Sequence, residues 1–172
     1  MDPGTGGAPE AAPAWRGEVR AVASGPTPDA AWALLGDFFS LDRWVSTVRT
    51  CRRVEEEEEE EEGRPGCVLR YCEGPVNKAA AGAVGWSKER LLEMDDAGRR
   101  YSYEVVESNK GFGRYRASLG VEHDPAGCAV RWSFEADPVE GWTQEGFVGF
   151  LDKLARGVAR RLEEEINVVK GE

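Results

Sequence analysis

The side chains whose chemistry depends most on spacing are four cysteines, Cys51, Cys67, Cys72 and Cys128, and one histidine, His123. A zinc site calls for a CxxC pair or a Cys/His cluster. The sequence has neither, and His123 stands before a turn-like Asp124-Pro125-Ala126-Gly127, so no metal is expected and the thiols are expected to be reduced and partly buried. The unbroken glutamate run Glu55 to Glu62 could in principle hold a cation. Adjacent like charges repel and cannot bury a face, so the favoured reading is a solvated hairpin tip, with Gly63-Arg64-Pro65-Gly66 completing the turn. Trp86, Trp132 and Trp142 are open to two readings, as core and cavity wall or as contacts to a ligand.

The elements that would position such groups must fit 172 residues, of which 41% are hydrophobic and 31% charged. That length suits one domain, burying about 70% of the surface of its unfolded chain. Most of the formal charge of −10 comes from the glutamate run. The near-neutral remainder offers no basic stripe for phosphates, which argues against nucleic acid as a partner. Met1 to Gly7 has no basic or apolar signal-like region, and no stretch approaches a spanning length. The expected setting is therefore cytoplasmic, without membrane insertion.

Residues 1–14 are rich in Gly, Pro and Ala and read as a disordered leader, leaving 15–172 as the domain. A strand pattern over Trp15 to Ala23 closes at Gly25-Pro26. Thr27-Pro28-Asp29 then supplies an N-cap, a first-turn proline and an early acid, the start of a helix with Ala31, Leu34, Leu35 and Phe38 as its buried stripe. A short helix over Leu41 to Val45 and a strand over Thr47 to Val54 follow. Alternation predicts further strands over Val68 to Cys72, Ala83 to Met94, Arg99 to Ser108, Tyr115 to Glu122 and Ala129 to Ala136, an antiparallel meander. The period then changes: Phe147, Phe150, Leu151, Leu154, Val158, Leu162, Ile166 and Val169 recur at helical intervals. The order is α+β, and a curved sheet gripping one helix often leaves a cavity between them.

Several segments then carry a family resemblance: Trp15-Arg16-Gly17, Ala31-Trp32-Ala33-Leu34-Leu35, Gly66-Cys67-Val68, Arg70-Tyr71, Trp86-Ser87-Lys88-Glu89-Arg90-Leu91, Tyr101-Ser102-Tyr103, Trp132-Ser133-Phe134 and Glu140-Gly141. In this order they resemble the lachrymatory-factor synthase family, a plant branch of the START/Bet v 1 (polyketide cyclase/dehydrase-like) superfamily, from Trp15 to about Glu165. The resemblance implies a helix-grip fold, a curved antiparallel sheet of about seven strands around a long C-terminal helix with an internal cavity. It also implies isomerisation of 1-propenesulfenic acid to propanethial S-oxide with no cofactor. Arg70, Glu89 and Tyr115 fall on the family's catalytic positions. Trp86, Leu91, Tyr103, Phe112, Trp132 and Phe134 are the implied ligand contacts. The family is similar to the abscisic-acid receptors, whose gate and latch loops would fall at Gly74 to Lys78 and Ser108 to Tyr115. Neither receptor motif is present there.

In that isomerisation a carboxylate would accept a proton from the sulfenic O–H and return it to a vinylic carbon, and Arg70 would hold the oxygen. Arg70 travels with Val68 and Cys72 on one strand face, Glu89 with Leu91, and Tyr115 with Ala117 and Leu119. Each polar group thus shares a face with apolar neighbours. The alternative is that Arg70 and Glu89 form a cross-strand ion pair lining the pocket of a non-catalytic carrier or sensor of a lipid, hormone or specialised metabolite. In either case the partner is a small hydrophobic ligand with a polar or anionic group. Leu69 is one residue more than the family's spacing before Arg70, so the face Arg70 presents depends on strand register.

Overall fold

The structure, a computed structural model, describes residues 14–54, 68–77 and 83–170. The glutamate run, Cys67 and all of the expected leader except Ala14 lie outside these residues. Strand β1 (Trp15–Ser24) leads through Gly25-Pro26 to helix α1 (Pro28–Leu35) and the single-turn helix α2 (Leu41–Trp44). Six strands follow, β2 (Thr50–Arg53), β3 (Leu69–Asn77), β4 (Ala83–Asp95), β5 (Arg100–Ser108), β6 (Tyr115–Asp124) and β7 (Gly127–Ala136). Helix α3 (Gln144–Lys170) ends the described chain.

The strands form one antiparallel sheet in the order β1-β7-β6-β5-β4-β3-β2. Because β1 and β2 occupy opposite edges, α1 and α2 carry the chain from one side of the sheet to the other. Helix α1 begins as its sequence dictates: the Thr27 hydroxyl accepts from the Ala30 N–H at 3.1 Å, and Pro28 occupies the first turn. Its Trp32 indole donates to Asp96 in the β4–β5 turn at 3.0 Å, tying the helix to the sheet end.

One face of the sheet is apolar. Val130, Trp132, Phe134 and Ala136 of β7 are buried, as are Tyr101 and Tyr103 of β5 and Tyr115, Ala117 and Leu119 of β6. Helix α3 covers this face with Phe147, Leu151, Ala155, Val158, Ala159 and Leu162. Ala155 and Ala159 extend the expected stripe with small residues that bring the helix close. Gly17 does the same from the sheet, since a Cβ there would lie 2.6 Å from Val148 Cγ2 and 2.9 Å from the Phe134 ring. Among the described residues no helix is long and apolar enough to cross a membrane. Cys51, Cys72 and Cys128 are free thiols.

Candidate functional site

Register places Arg70 of β3 directly opposite Glu89 of β4, in an unbroken run of pairs from Leu69–Arg90 to Glu73–Trp86. The irregularity in this ladder comes later, between Glu73 and Val76, so the additional Leu69 does not turn Arg70 outward. Its side chain is completely buried, and Glu89 and Ser87 are 9% and 1% exposed. Arg70 Nε donates to Glu89 Oε1 at 2.7 Å, and the Ser87 hydroxyl donates to Glu89 Oε2 at 2.9 Å. Arg70 Nη1 donates to the Phe38 carbonyl at 2.8 Å and to the Tyr101 hydroxyl at 3.0 Å. The Phe38 carbonyl is available because α1 stops at Leu35 and Phe38 lies in the turn before α2.

The guanidinium carbon lies 4.1 Å from the Phe38 ring centroid, 4.7 Å from Tyr103 and 5.5 Å from Tyr101. These ring faces attract the cation and exclude water from it. Burial opposes the Arg70 charge, but Tyr101 and Glu89 outweigh it, so the guanidinium is held well above its ordinary value. Burial likewise pushes the Tyr101, Tyr103 and Tyr115 phenols up. One atom stands apart: Arg70 Nη2 is buried and has no hydrogen-bond partner among the described residues. An unsatisfied buried donor of this kind costs about 1–3 kcal/mol, more when it is charged.

The sequence pattern of the polyketide cyclase/dehydrase and lipid transport family matches residues 15–167. The chain belongs to this family. Solved structures with the same fold include the XoxI protein of Bacillus cereus, with 19% identity over 90% of this chain and 96% of that one and a TM-score of 0.64. A START superfamily protein of Mycobacterium smegmatis has 11% identity over 90% and 97% of the two chains, TM-score 0.59. A ginseng major latex-like protein from Panax ginseng has 16% identity over 84% and 96%, TM-score 0.60. At these identities the likeness is one of fold, and it agrees with the expected seven-stranded sheet and C-terminal helix.

Within this family fold, Arg70 and Glu89 are in contact, while Tyr115 is set in a neighbouring aromatic group. It packs on Phe112 at 4.9 Å, on Phe134 at 6.1 Å in a stacked arrangement, and on Phe147 of α3 at 5.9 Å. Tyr103 extends the Arg70 group: its ring covers Arg70, and its hydroxyl accepts from the Trp132 indole at 3.3 Å. Leu91 follows Glu89 and packs, half-buried, against the core. Trp86 is separate from all of these. It is three residues from Glu89 on a strand whose Ser87 and Glu89 are buried, so it stands on the outer face, stacked on Tyr71 at 5.7 Å. The Arg52 guanidinium caps that stack.

Phe38, Tyr101 and Ser87 complete the Arg70 and Glu89 shell and were not among the expected site residues. Two had a legible signal, since Tyr101 and Ser87 lie two positions before Tyr103 and Glu89 on the same strand faces. The loop at the latch position is fastened by Asn109, whose side chain accepts from the Trp86 N–H at 2.8 Å and donates to the Val84 carbonyl at 3.0 Å. Hollows of about 490 and 360 Å³ lie on the outer face of the sheet around Ser118 and Ser133. Neither is lined by Arg70 or Glu89.

Proposed function

We propose that the chain binds a small, mainly apolar molecule carrying one anionic or strongly polar group, and that Arg70 anchors that group. The unpartnered, fully buried Nη2 supports this reading most directly. Nε and Nη1 are engaged by Glu89, Phe38 and Tyr101, which fix the fork and leave one arm for an incoming acceptor. The surrounding aromatic rings would take the ligand's apolar part. Because Phe38 and Tyr103 now cover the guanidinium, admission of a ligand displaces at least one ring, so the binding energy must exceed the cost of that movement.

The test is calorimetric titration of the purified chain with short aromatic and aliphatic carboxylates and with their uncharged methyl esters. A charge-assisted hydrogen bond of about 1.5–3 kcal/mol corresponds to a ten- to hundredfold preference for the carboxylate. Arg70→Leu removes the preference while leaving residual ester binding. Equal affinity for acid and ester in the wild type refutes the anchor.

A second reading, a cofactor-independent sulfenic acid isomerase, is favoured by the 2.7 Å contact between a cation and a carboxylate in a water-excluded site. In this reading Nη2 holds the substrate oxygen. Glu89 takes the O–H proton, the electron pair moves through sulfur toward the double bond, and Glu89 returns the proton to the vinylic carbon. Tyr115 orients the substrate from the adjoining cluster. The chain coupled to alliinase and 1-propenyl cysteine sulfoxide then yields propanethial S-oxide, and Glu89→Gln and Arg70→Leu yield none. A folded wild type that gives no product leaves the binding reading alone.

A further inference from the structure

Cys51 and Cys72 face each other across β2 and β3, with their sulfurs 3.5 Å apart. The strand pattern shows why this pair is close. Val54 N–H donates to the Leu69 carbonyl, making that pair hydrogen-bonded, so by alternation Cys51–Cys72 is a non-hydrogen-bonded pair. The opposite edge of β3 agrees: Leu91 N–H donates to the Val68 carbonyl, so the even-numbered residues of β3 direct their backbone groups toward β4. Non-hydrogen-bonded pairs bring their Cα atoms to about 4.5 Å, within the roughly 4.4–6.8 Å that a disulfide accepts. Bond formation therefore requires only a small side-chain movement.

The two thiols are also unequal. Cys51 is half-buried on an edge strand, whereas Cys72 is 2% exposed on the inner face beside Arg70. Cys72 donates to the Cys51 sulfur, and Cys51 donates in turn to the Phe38 carbonyl at 3.9 Å, the acceptor that Arg70 Nη1 also uses. The hydrogen bond from Cys72, aided by the Arg70 charge, pulls the Cys51 thiol down against its burial; Cys72 is pushed up by that same bond and by burial.

We propose that Cys51 and Cys72 are an oxidisable dithiol, with Cys51 the attacking and Cys72 the resolving sulfur, which a peroxide converts to a cross-strand disulfide between β2 and β3. The Cys51 thiolate attacks the peroxide O–O bond, becoming a sulfenic acid as hydroxide leaves and takes up the proton lost from Cys51. The Cys72 sulfur then attacks Cys51 Sγ, the S–O bond breaks, and the departing hydroxide leaves as water with the Cys72 proton. Two thiols are oxidised, one peroxide is reduced, and two waters result. This site does not depend on the ligand reading, because neither sulfur needs a bound molecule to react.

The experiment treats the full chain with hydrogen peroxide and maps tryptic peptides without reduction. Cleavage separates all four cysteines, placing Cys51 in Thr50–Arg52 and Cys72 in Tyr71–Lys78. The expected result is a linked Thr50–Arg52/Tyr71–Lys78 pair that disappears on reduction and is absent in Cys51→Ser. Cys72→Ser, whose hydroxyl can still donate to the Cys51 sulfur but cannot close the bond, accumulates a dimedone-trapped sulfenic acid on Cys51. The oxidised wild type also melts several degrees higher than the reduced form. Sulfinic or sulfonic acid on Cys51 without the linked pair, or a link from Cys51 to Cys67 or Cys128, overturns the proposal; should Cys72→Ser not fold, the wild-type map alone decides it.

Discussion

Removing Glu89 and removing the whole ion pair have opposite expected consequences. Glu89→Leu takes away the acceptor for Arg70 Nε and leaves a completely buried guanidinium with the Phe38 carbonyl and the Tyr101 hydroxyl as its remaining acceptors. Breaking a buried pair from one side costs about 3–5 kcal/mol. For a domain of this size, where about 1 kcal/mol shifts Tm by roughly 2–4 °C, the expected fall is on the order of 10 °C. Arg70→Leu/Glu89→Leu removes both desolvation penalties and fills the space with apolar atoms, so its stability returns to within about 1 kcal/mol of the wild type or exceeds it. The coupling between the positions, read from urea midpoints of the wild type, both single variants and the double variant, is then several kcal/mol. The Ser87 hydroxyl loses its acceptor in both Glu89 variants and cancels from the comparison. A Glu89→Leu cost below about 1 kcal/mol, or a double variant as unstable as the sum of the singles, refutes the account of a mutually dependent buried pair.

Alkaline pH should destabilise the fold through its buried phenols. Tyr101, Tyr103 and Tyr115 have folded values above the unfolded one of about 10, so their contribution is complete below that pH and is lost as pH rises toward the folded values. Urea midpoints at successive pH values, followed with tyrosinate absorbance, should show constancy at neutral pH and decline above about 10. Gly17→Val, whose Cβ would strike Val148 and Phe134, should cost about 1–3 kcal/mol in the same assay. Asn109→Ala removes the bonds from the latch-position loop to Trp86 and Val84, and hydrogen exchange should accelerate from Ser108 to Arg114 with little change in β6 and β7.

Periodicity carried most of the fold. The alternating burial of β7 and the three- and four-residue spacing of α3 are direct consequences of which side chains leave water, so both were visible without coordinates. The end of β3 was not. The expected strand stops at Cys72, yet β3 continues to Asn77 through the irregularity after Glu73, where Gly74 lies so near the Thr47 carbonyl that a Cβ would be 2.4 Å from it. The pairing of Arg70 with Glu89 is a matter of register, which composition does not encode. Trp86 differs: its three-residue offset from Glu89 already assigns the two to opposite faces. The Phe38 carbonyl is the least legible part of the site, because every residue has a carbonyl and only the break between α1 and α2 makes this one available.

A buried ion pair is weak evidence that a protein is stable, since packed apolar residues of similar volume do the same at no cost in desolvation. Arg70 therefore calls for an explanation other than stability. Ring faces and three acceptors hold it charged, and the charge is expensive to maintain while Nη2 remains unpartnered. The expense is not lost if a ligand acceptor completes the set. The roughly 1–3 kcal/mol spent on the unsatisfied group is then recovered on binding, a gain in affinity of about fivefold to somewhat over a hundredfold that a fully satisfied arginine could not supply. A ligand lacking the acceptor would meet only the rings and would have to move them without that return. On the proposed anchor, the incomplete hydrogen bonding of one nitrogen would favour ligands with an anionic or strongly polar end.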